Sequence, residues 1–460
     1  MVLPLPLTAF EEYMLADDRP QWPMTFFLRL DLRGPYDPSK LCSAIDSALA
    51  RHPLLASRLA DDGRSGHQWV ATSERSPQVS YCDGEGAIDF PAGRRIDLRR
   101  ESGVRCWVRT VGADRWTLWL QFHHACCDGL GALQFVGDLL AAYRSCGPGA
   151  PAVDLRPLLD PERLRRRGSF GLTLLRQLLR TPQEFLGLLG ALEFFSHRPP
   201  SLTPETAAPS DNSSADEFPR WIHHRFTPQQ SARLRQSAQA QHVSLNDLLL
   251  AELFLATDAW LSSRRPDTQR KFLRIMVPMN LRLAGDRQTP AANLVSMVNL
   301  DRRPARYASR RRLLKSLSLE MSIIKRCRLG ITMHHVVRLA RRFKKLAWLL
   351  PADRCVCTCV LSNLGNASEI LGPRTESDSS PADGLELVSF DFMPPIRPLT
   401  AAALGVATYR GCTTITLHHD ASMSAESARE LLDNFVVRLQ QACAEPIAIP
   451  PRELAVSGKI

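Results

Sequence analysis

Two adjacent histidines followed four residues later by an aspartate and a glycine, His123-His124-Ala-Cys-Cys-Asp128-Gly129, are the residues of this chain best suited to chemistry. Imidazole titrates near neutrality, with an unperturbed pKa of about 6.5. A histidine at the end of a strand is therefore mostly free base at pH 7 and still a useful proton acceptor. A buried aspartate needs a cation or several donors to stay ionised, which predicts an arginine from elsewhere in the chain beside Asp128. Cys126 or Cys127 next to His124 offers a second chemistry, thiolate attack with a covalent intermediate. A metal cluster of His123, His124, Cys126 and Cys127 would need an unusual bend, because neighbouring strand residues diverge.

The elements around these residues are legible. From Trp116 to His124 the pattern is that of an apolar strand. Period two puts Trp116, Leu118, Leu120, Phe122 and His124 on one face and Thr117, Trp119, Gln121 and His123 on the other. Only one of the two histidines then points into a given site. Leu130 to Tyr143 carries apolar residues at helical spacing. Asp128-Gly129 between strand and helix suits a tight turn in which Gly129 takes positive φ.

Other groups compete for attention. Cys355, Cys357 and Cys359 alternate, so a strand would put all three on one face. Zinc sites usually leave at least two residues between ligands, which favours a core strand and no metal. His418-His419-Asp420 repeats the paired histidines without the spaced Asp-Gly and reads as a strand end. His334-His335 reads as a surface pair at a helix start. Ser362-Asn363 ends an apolar run in a polar turn, which would either present donors to a developing oxyanion or shape the contact between two halves of the chain; the sequence leaves both readings open.

At 460 residues, with 44% hydrophobic and 23% charged residues, the chain is globular and long enough for two cores. No run of about 20 uncharged apolar residues is present, and the N-terminal segment carries Glu11, Glu12, Asp17 and Asp18 instead of a signal pattern, which predicts a soluble, cytoplasmic protein. Twelve cysteines then fit reduced thiols. The net charge of +11 is concentrated in three basic stretches, Arg163 to Arg167, Arg302 to Lys315 and Arg338 to Leu350. Such faces suit a phosphate-bearing ligand, an acidic protein or an anionic membrane surface, or they are solvated faces without a partner. No nucleic-acid module accompanies them.

The stretch from His197 to Ala215, rich in Pro, Ser and Thr, reads as a linker. Phe170 to Phe195, rich in Leu and Phe, reads as a helical pair packed on the first domain or a flap over a channel. Beyond the linker come an extended Arg220 to Phe226, a helix from Thr227 to Gln241, and a capping box Ser244-Leu-Asn-Asp247 that starts a buried helix to Leu261. Strands at Leu273 to Met279 and Asn293 to Leu300, basic helices over 310–350, a hairpin turning at Arg410-Gly411 and a closing helix from Ala425 to Ala444 follow.

His123-His124-Ala-Cys-Cys-Asp128-Gly129 resembles the HHxxxDG motif of the chloramphenicol acetyltransferase-like superfamily, which includes condensation domains of peptide synthetases, plant BAHD acyltransferases, wax ester synthases and bacterial alcohol O-acyltransferases. Pro6-Leu-Thr-Ala-Phe-Glu11, Arg51-His52-Pro53-Leu54-Leu55, Val243-Ser244-Leu-Asn-Asp247-Leu248, Val277-Pro-Met-Asn-Leu-Arg282 and Ser362-Asn363-Leu364-Gly365 extend the resemblance over most of the chain. The DFGWG element of the plant enzymes is missing, and no adenylation or carrier domain stands beside the motif.

The resemblance implies an α/β (α+β) fold of two chloramphenicol acetyltransferase-like lobes forming a pseudo-dimer with a central channel. The division it suggests is 1–165 for the first lobe, 166–218 for the helical segment and linker, and 219–460 for the second lobe. It implies direct acyl transfer from an acyl-CoA or acyl-carrier thioester to a small-molecule or lipid-like alcohol. His124 would be the general base, and no tightly bound cofactor or metal is required. Asp128 would be structural, paired with Arg282, with His123 and Gly129 shaping the site and Ser362 and Asn363 near the substrate carbonyl. A stand-alone amide-forming condensation enzyme and a noncatalytic lipid- or carrier-binding relative are the alternatives. A monomer is expected, with peripheral membrane contact through the basic helices as one reading of the charge.

Overall fold

A computed structural model describes residues 2–63, 66–72, 77, 79–83, 95–112, 114–145, 157–172, 177, 179–203, 218–268, 271–372 and 385–444. Most of the linker reading, 204–215, lies outside them. The first lobe runs β1 (Leu5–Pro6), α1 (Ala9–Asp17), β2 (Thr25–Arg33), α2 (Pro38–Arg51), β3 (Ser57–Asp61), β4 (His67–Ala71), β5 (Val79–Asp83), β6 (Val104–Thr110), β7 (Arg115–His123) and α3 (Gly129–Ser145). Helix α4 (Thr181–Ser196) leads to the second lobe. That lobe contains β8 (Arg220–Arg225), α5 (Pro228–Ala240), α6 (Leu245–Arg264), β9 (Leu273–Asn280), β10 (Val295–Arg302), α7 (Arg310–Arg326), α8 (Gly330–Arg342), β11 (Cys359–Asn366), α9 (Ser368–Leu371), β12 (Glu386–Met393), β13 (Ala402–Tyr409), β14 (Cys412–His419) and α10 (Ala425–Ala444).

Three sheets organise these elements, in the orders β12-β2-β7-β6-β5, β10-β9-β11-β13-β14-β8 and β1-β4-β3. Strand β7 is the middle of its sheet, which explains why both of its faces are buried. Trp116, Leu118, Leu120 and Phe122 join the large core under α2 and α3, while Trp119 joins a smaller cluster with Phe27, Trp107 and Met393 on the opposite face. Helix α2 presents Leu41, Ala44, Ile45, Ala48 and Leu49 to that core at spacings of three and four. Its start is fixed by Asp37, whose Oδ1 accepts from the N–H groups of Ser39 and Lys40, and by Pro38 at the first helical position.

In the second lobe, α6 begins at the capping box read from the sequence: Asp247 N–H donates to Ser244 Oγ and Ser244 N–H to Asp247 Oδ2. Strands β13 and β14 form the expected antiparallel hairpin, with Arg410 and Gly411 at φ of 47° and 79°. One strand changes sides. Strand β12, late in the chain, pairs antiparallel with β2 and completes the first lobe's sheet, with Phe392 opposite Leu28 and Met393 opposite Phe27. The exchange brings Phe392, Pro394 and Pro395 to the junction between lobes.

Three expectations need correction. Only Cys359 lies in a strand; Cys355 and Cys357 precede it in irregular backbone, so the three thiols do not alternate along one face, although all are buried. His334 is not a surface residue: its ring packs between Phe10 and Phe170 at centroid distances of 4.4 Å, and its Nε2 bonds the carbonyl of Val295 at 3.0 Å. The apolar face of α8 is drawn against α1, which a local reading of two histidines at a helix start does not register. Gly129 is the first residue of α3 and does not take positive φ. What it supplies is space, because a Cβ there would come within 2.5 Å of the Leu364 side chain.

Candidate active site

The chain leaves β7 after His123 and turns through Ala125 to Cys127 before α3 begins. Three main-chain bonds fix this turn. His124 N–H donates to Met24 at 2.8 Å, His123 N–H to Gly103 at 2.9 Å, and Cys126 N–H to the carbonyl of His123 at 3.0 Å. His123 is fully buried; its Nδ1 accepts from Ala125 N–H at 3.1 Å and its Nε2 lies 3.4 Å from Asp18. That orientation takes His123 away from the junction between lobes. Burial would push the Asp18 carboxyl up, but the His123 ring, Arg95 and the N–H of Met24 outweigh it and hold the carboxyl below its usual range.

His124 faces the other way. It is partly exposed and lines a cavity of about 120 Å³ between the lobes, with its ring edge-on to Phe26 at 5.3 Å. Asn293, from the segment before β10, donates through Nδ2 to the His124 carbonyl at 2.7 Å and lies 3.3 Å from its Nδ1. Nδ1 thus faces Asn293 inside the protein, which leaves Nε2 as the ring nitrogen without a protein partner among the described residues. Burial lowers the imidazole pKa below its ordinary value, only partly countered by the bond to its own carbonyl and by Asp128. At pH 7 the ring is therefore neutral and able to accept a proton.

Asp128 caps α3, its Oδ1 accepting from Gly131 N–H at 2.9 Å. Arg282 crosses from the second lobe with both guanidinium nitrogens, Nη1 to Oδ2 at 2.7 Å and Nη2 to Oδ1 at 2.9 Å, and Leu294 N–H adds a fourth bond to Oδ2 at 2.8 Å. Burial alone would raise this carboxyl. The Arg282 charge and the four hydrogen bonds overcome that and keep it low and ionised. The carboxylate makes no bond to His124; it ties the turn, α3 and the crossing segment 291–295 together. His52 supports the same segment, accepting from Ala291 N–H through Nδ1 at 2.9 Å while its Nε2 bonds Asp138 at 3.2 Å.

Ser362 and Asn363 also reach the cavity wall, from β11. The Asn363 side chain is occupied in its own turn, accepting from Gly365 N–H at 2.9 Å and donating to Asn246 at 3.4 Å. The Ser362 hydroxyl has no protein partner among the described residues and is free to donate to a ligand. The structure thus brings together His124, Asp128, Gly129, Arg282, Ser362 and Asn363 on one cavity wall, with His123 behind it. Sequence reasoning missed Asn293, Asp18 and the Asp17–Arg397 pair that also lines the cavity. Asn293 sits in Ala-Ala-Asn-Leu, which carries no local signal. Cys126 and Cys127 are fully buried, and burial pushes both thiols well above their ordinary pKa, away from thiolate chemistry. His418 and His419 end β14 as expected, and each bonds a main-chain carbonyl, of Pro394 and Met423. Among the described residues no group of histidine, cysteine and acidic side chains is arranged to hold a metal.

The two-lobed fold is shared with solved structures. A trichothecene 15-O-acetyltransferase from Fusarium sporotrichioides superposes with a TM-score of 0.67 at 13% identity over 95% of each chain. The first condensation domain of the calcium-dependent antibiotic synthetase, in complex with a substrate analogue, superposes with a TM-score of 0.67 at 16% identity, over 98% of this chain and 99% of that one. The chain has the chloramphenicol acetyltransferase-like fold. Among curated proteins it is 26% identical over 238 residues to a phthiocerol/phthiodiolone dimycocerosyl transferase of Mycobacterium tuberculosis, covering 50% of this chain and 53% of that protein. The chain therefore matches about half the length of this curated relative. No protein-family model matches it.

Proposed function

We propose that the protein is an O-acyltransferase that moves an acyl group from a thioester, acyl-CoA or acyl carrier protein, directly to a hydroxyl acceptor, with His124 as general base. The observation that carries this reading is a neutral imidazole, its Nδ1 facing Asn293, on the wall of a cavity between two lobes. The acceptor hydroxyl gives its proton to His124 Nε2 as its oxygen attacks the thioester carbon. The Ser362 hydroxyl is the free donor suited to the oxyanion that forms. Collapse of the tetrahedral intermediate forms the ester, breaks the C–S bond and returns the proton from the imidazolium to the leaving thiolate. Asp128 and Arg282 hold the turn without taking part in proton transfer. The fold relatives named for O-acetyl transfer and for condensation, and the curated relative named a dimycocerosyl transferase, support transfer of an acyl group.

A hydroxyl acceptor is favoured over an amine by the charges of the cavity. Among the described residues its carboxylates are Asp17 and Asp128, already paired with Arg397 and Arg282, which leaves no unpaired anion among them to hold an ammonium group. Met, Phe, Pro and Val side chains make up much of the remaining wall and suit an apolar acceptor. The test supplies acyl-CoA and acyl-carrier donors with a panel of alcohols and amines to native protein and to His124→Ala. Ester formed by the native protein and lost in the variant supports the reading. Amide formation selects the condensation alternative, and ligand binding without turnover selects the noncatalytic one.

A further inference from the structure

Helix α4 is unusual for a helix on a water-soluble surface. Over its 16 residues the only charges are Glu184 and Glu193, and none of its side chains is fully buried. One side carries Leu186, Gly187, Leu189, Gly190, Ala191 and Phe194 and roofs a second cavity of about 490 Å³. The other side exposes Phe185 (64%), Leu188 and Leu192 (66%) to solvent. A helix that is apolar all round is ordinarily buried or in contact with lipid. At Gly187 the backbone approaches Thr332 of α8 so closely that a Cβ would overlap its side chain, so the roof is seated on α8.

The second cavity and the His124 cavity abut along a common wall of Tyr13, Met276, Met297 and Arg397. Two of these are methionines, side chains that adapt readily to a ligand. At the outer end the cavity is lined by exposed Leu186, Leu189, Leu319 (66%) and Ile323. The surroundings are cationic. From Arg310 to Lys345 the chain has twelve Lys and Arg and one acid, Glu320, which pairs with Arg302. Arg312, Lys315, Lys325, Arg326, Arg338, Arg342, Lys344 and Lys345 are exposed, interspersed with exposed Leu339, Phe343 and Trp348 (68%). On α7, Arg312 and Lys315 precede, and Arg326 follows, the apolar pair Leu319 and Ile323 along one stripe of the helix. Cations around exposed aliphatic and aromatic side chains are complementary to the headgroup and acyl boundary of an anionic bilayer.

We propose that α4, with the exposed residues of α7 and α8 and the segment through Trp348, docks on an anionic lipid bilayer, and that the cavity beneath α4 takes the hydrocarbon chain of a substrate directly from that bilayer. The docking stands on the surface alone; the description of the chain as substrate rests on the acyl-transfer reading. A lipid-borne chain would enter between α4 and α7 and run toward the wall shared with the His124 cavity, so that its reactive group meets the base without crossing water.

The experiment measures binding of the full chain to phosphatidylcholine vesicles with and without phosphatidylglycerol, and quenching of tryptophan by lipids brominated along their chains. Native protein and His124→Ala should bind the anionic vesicles alike, and salt should weaken binding. The combined variant R338E/R342E/K344E/K345E should lose affinity by about tenfold or more. Combined Phe185→Ser, Leu188→Ser and Leu192→Ser should also weaken binding, and the bromolipid quenching should drop in Trp348→Phe. Ala191→Trp, which fills the cavity, should lower the rate with a vesicle-borne long-chain substrate relative to the rate with a short soluble one. Equal binding to neutral and anionic vesicles, native-like binding by the charge-reversed variant, absence of quenching, or capture of an acyl carrier protein without vesicle binding would each overturn the docking. An unchanged rate ratio in Ala191→Trp would overturn the route through the cavity. Ester formation from soluble substrates without vesicle binding removes the docking and leaves the transferase reading; vesicle binding without ester formation does the reverse.

Discussion

Asp128→Asn probes the tie between the His124 turn and the second lobe. Each carboxylate oxygen accepts one bond from Arg282 and one from the main chain: Oδ1 from Nη2 and Gly131, Oδ2 from Nη1 and Leu294. An amide has only one oxygen, so either orientation points its NH2 at two donors. Two bonds are lost, and Arg282, whose side chain is 16% exposed, keeps its charge beside a neutral group. Breaking one side of a buried pair costs about 3–5 kcal/mol, and partial access of Arg282 to water places this site near the low end, about 3 kcal/mol. A loss of 1 kcal/mol lowers the melting temperature by about 2–4 °C in domains of lobe size, so a drop of roughly 6–12 °C is expected. The rate should fall with it, because the same carboxylate holds Leu294, whose neighbour Asn293 bonds the His124 carbonyl. Thermal unfolding and kcat are measured on Asp128→Asn, Arg282→Gln and the double variant. The singles should not add, because the double variant leaves no unpaired charge; a coupling of about 1–3 kcal/mol is expected. An Asp128→Asn protein that melts like the native one while losing activity about a hundredfold refutes a structural role and makes the carboxylate part of the chemistry.

The pH dependence follows from His124. Its pKa lies below the ordinary 6.5, so the acid limb of kcat/KM should fall below that pH, and His124→Ala should remove the limb along with most of the activity while melting close to native. Asp128 has the opposite sign: its folded pKa is below the unfolded value of about 3.9, so its contribution to stability is complete above that value and is lost as pH falls through the folded pKa. Acid unfolding of the native protein should therefore be steeper than that of Asp128→Asn. Cys126→Ala and Cys127→Ala should each keep turnover, and mass spectrometry after alkylation of the folded protein should find both thiols unmodified; an acyl group trapped on either would replace direct transfer with a covalent route. Gly405→Ala should destabilise by about 1–3 kcal/mol or more in denaturant titration, because its Cβ would overlap the backbone carbonyl of Phe392 in β12. Gly129→Ala overlaps the movable Leu364 side chain, with Phe392 at ordinary contact distance, and should cost less.

What the sequence by itself determined is what local periodicity and short-range chemistry encode. The strand into His123, the helix after Asp128, the capping box at Ser244, the Arg410-Gly411 turn and the closing helix are each written in a few neighbouring residues. The cost of burying a carboxylate also required a cation for Asp128, whereas His124 lies one residue past the end of β7 and is aimed by the turn, not by strand alternation. The partners themselves were decided by tertiary structure. Asn293 reaches His124 across 169 residues and Arg397 reaches Asp17 across 380, pairings set by chain closure and core packing and not by spacing. Gly129 was legible as a required small residue but for the wrong cause, since the crowding comes from Leu364 on a distant strand. His334, read locally as a surface residue, is half-buried between Phe10 and Phe170 because α8 packs its apolar face on α1. The exchange of β12 into the first sheet and the meeting of two cavities at Met276 and Met297 likewise have no local signature, because each exists only where segments far apart in the chain exclude water together.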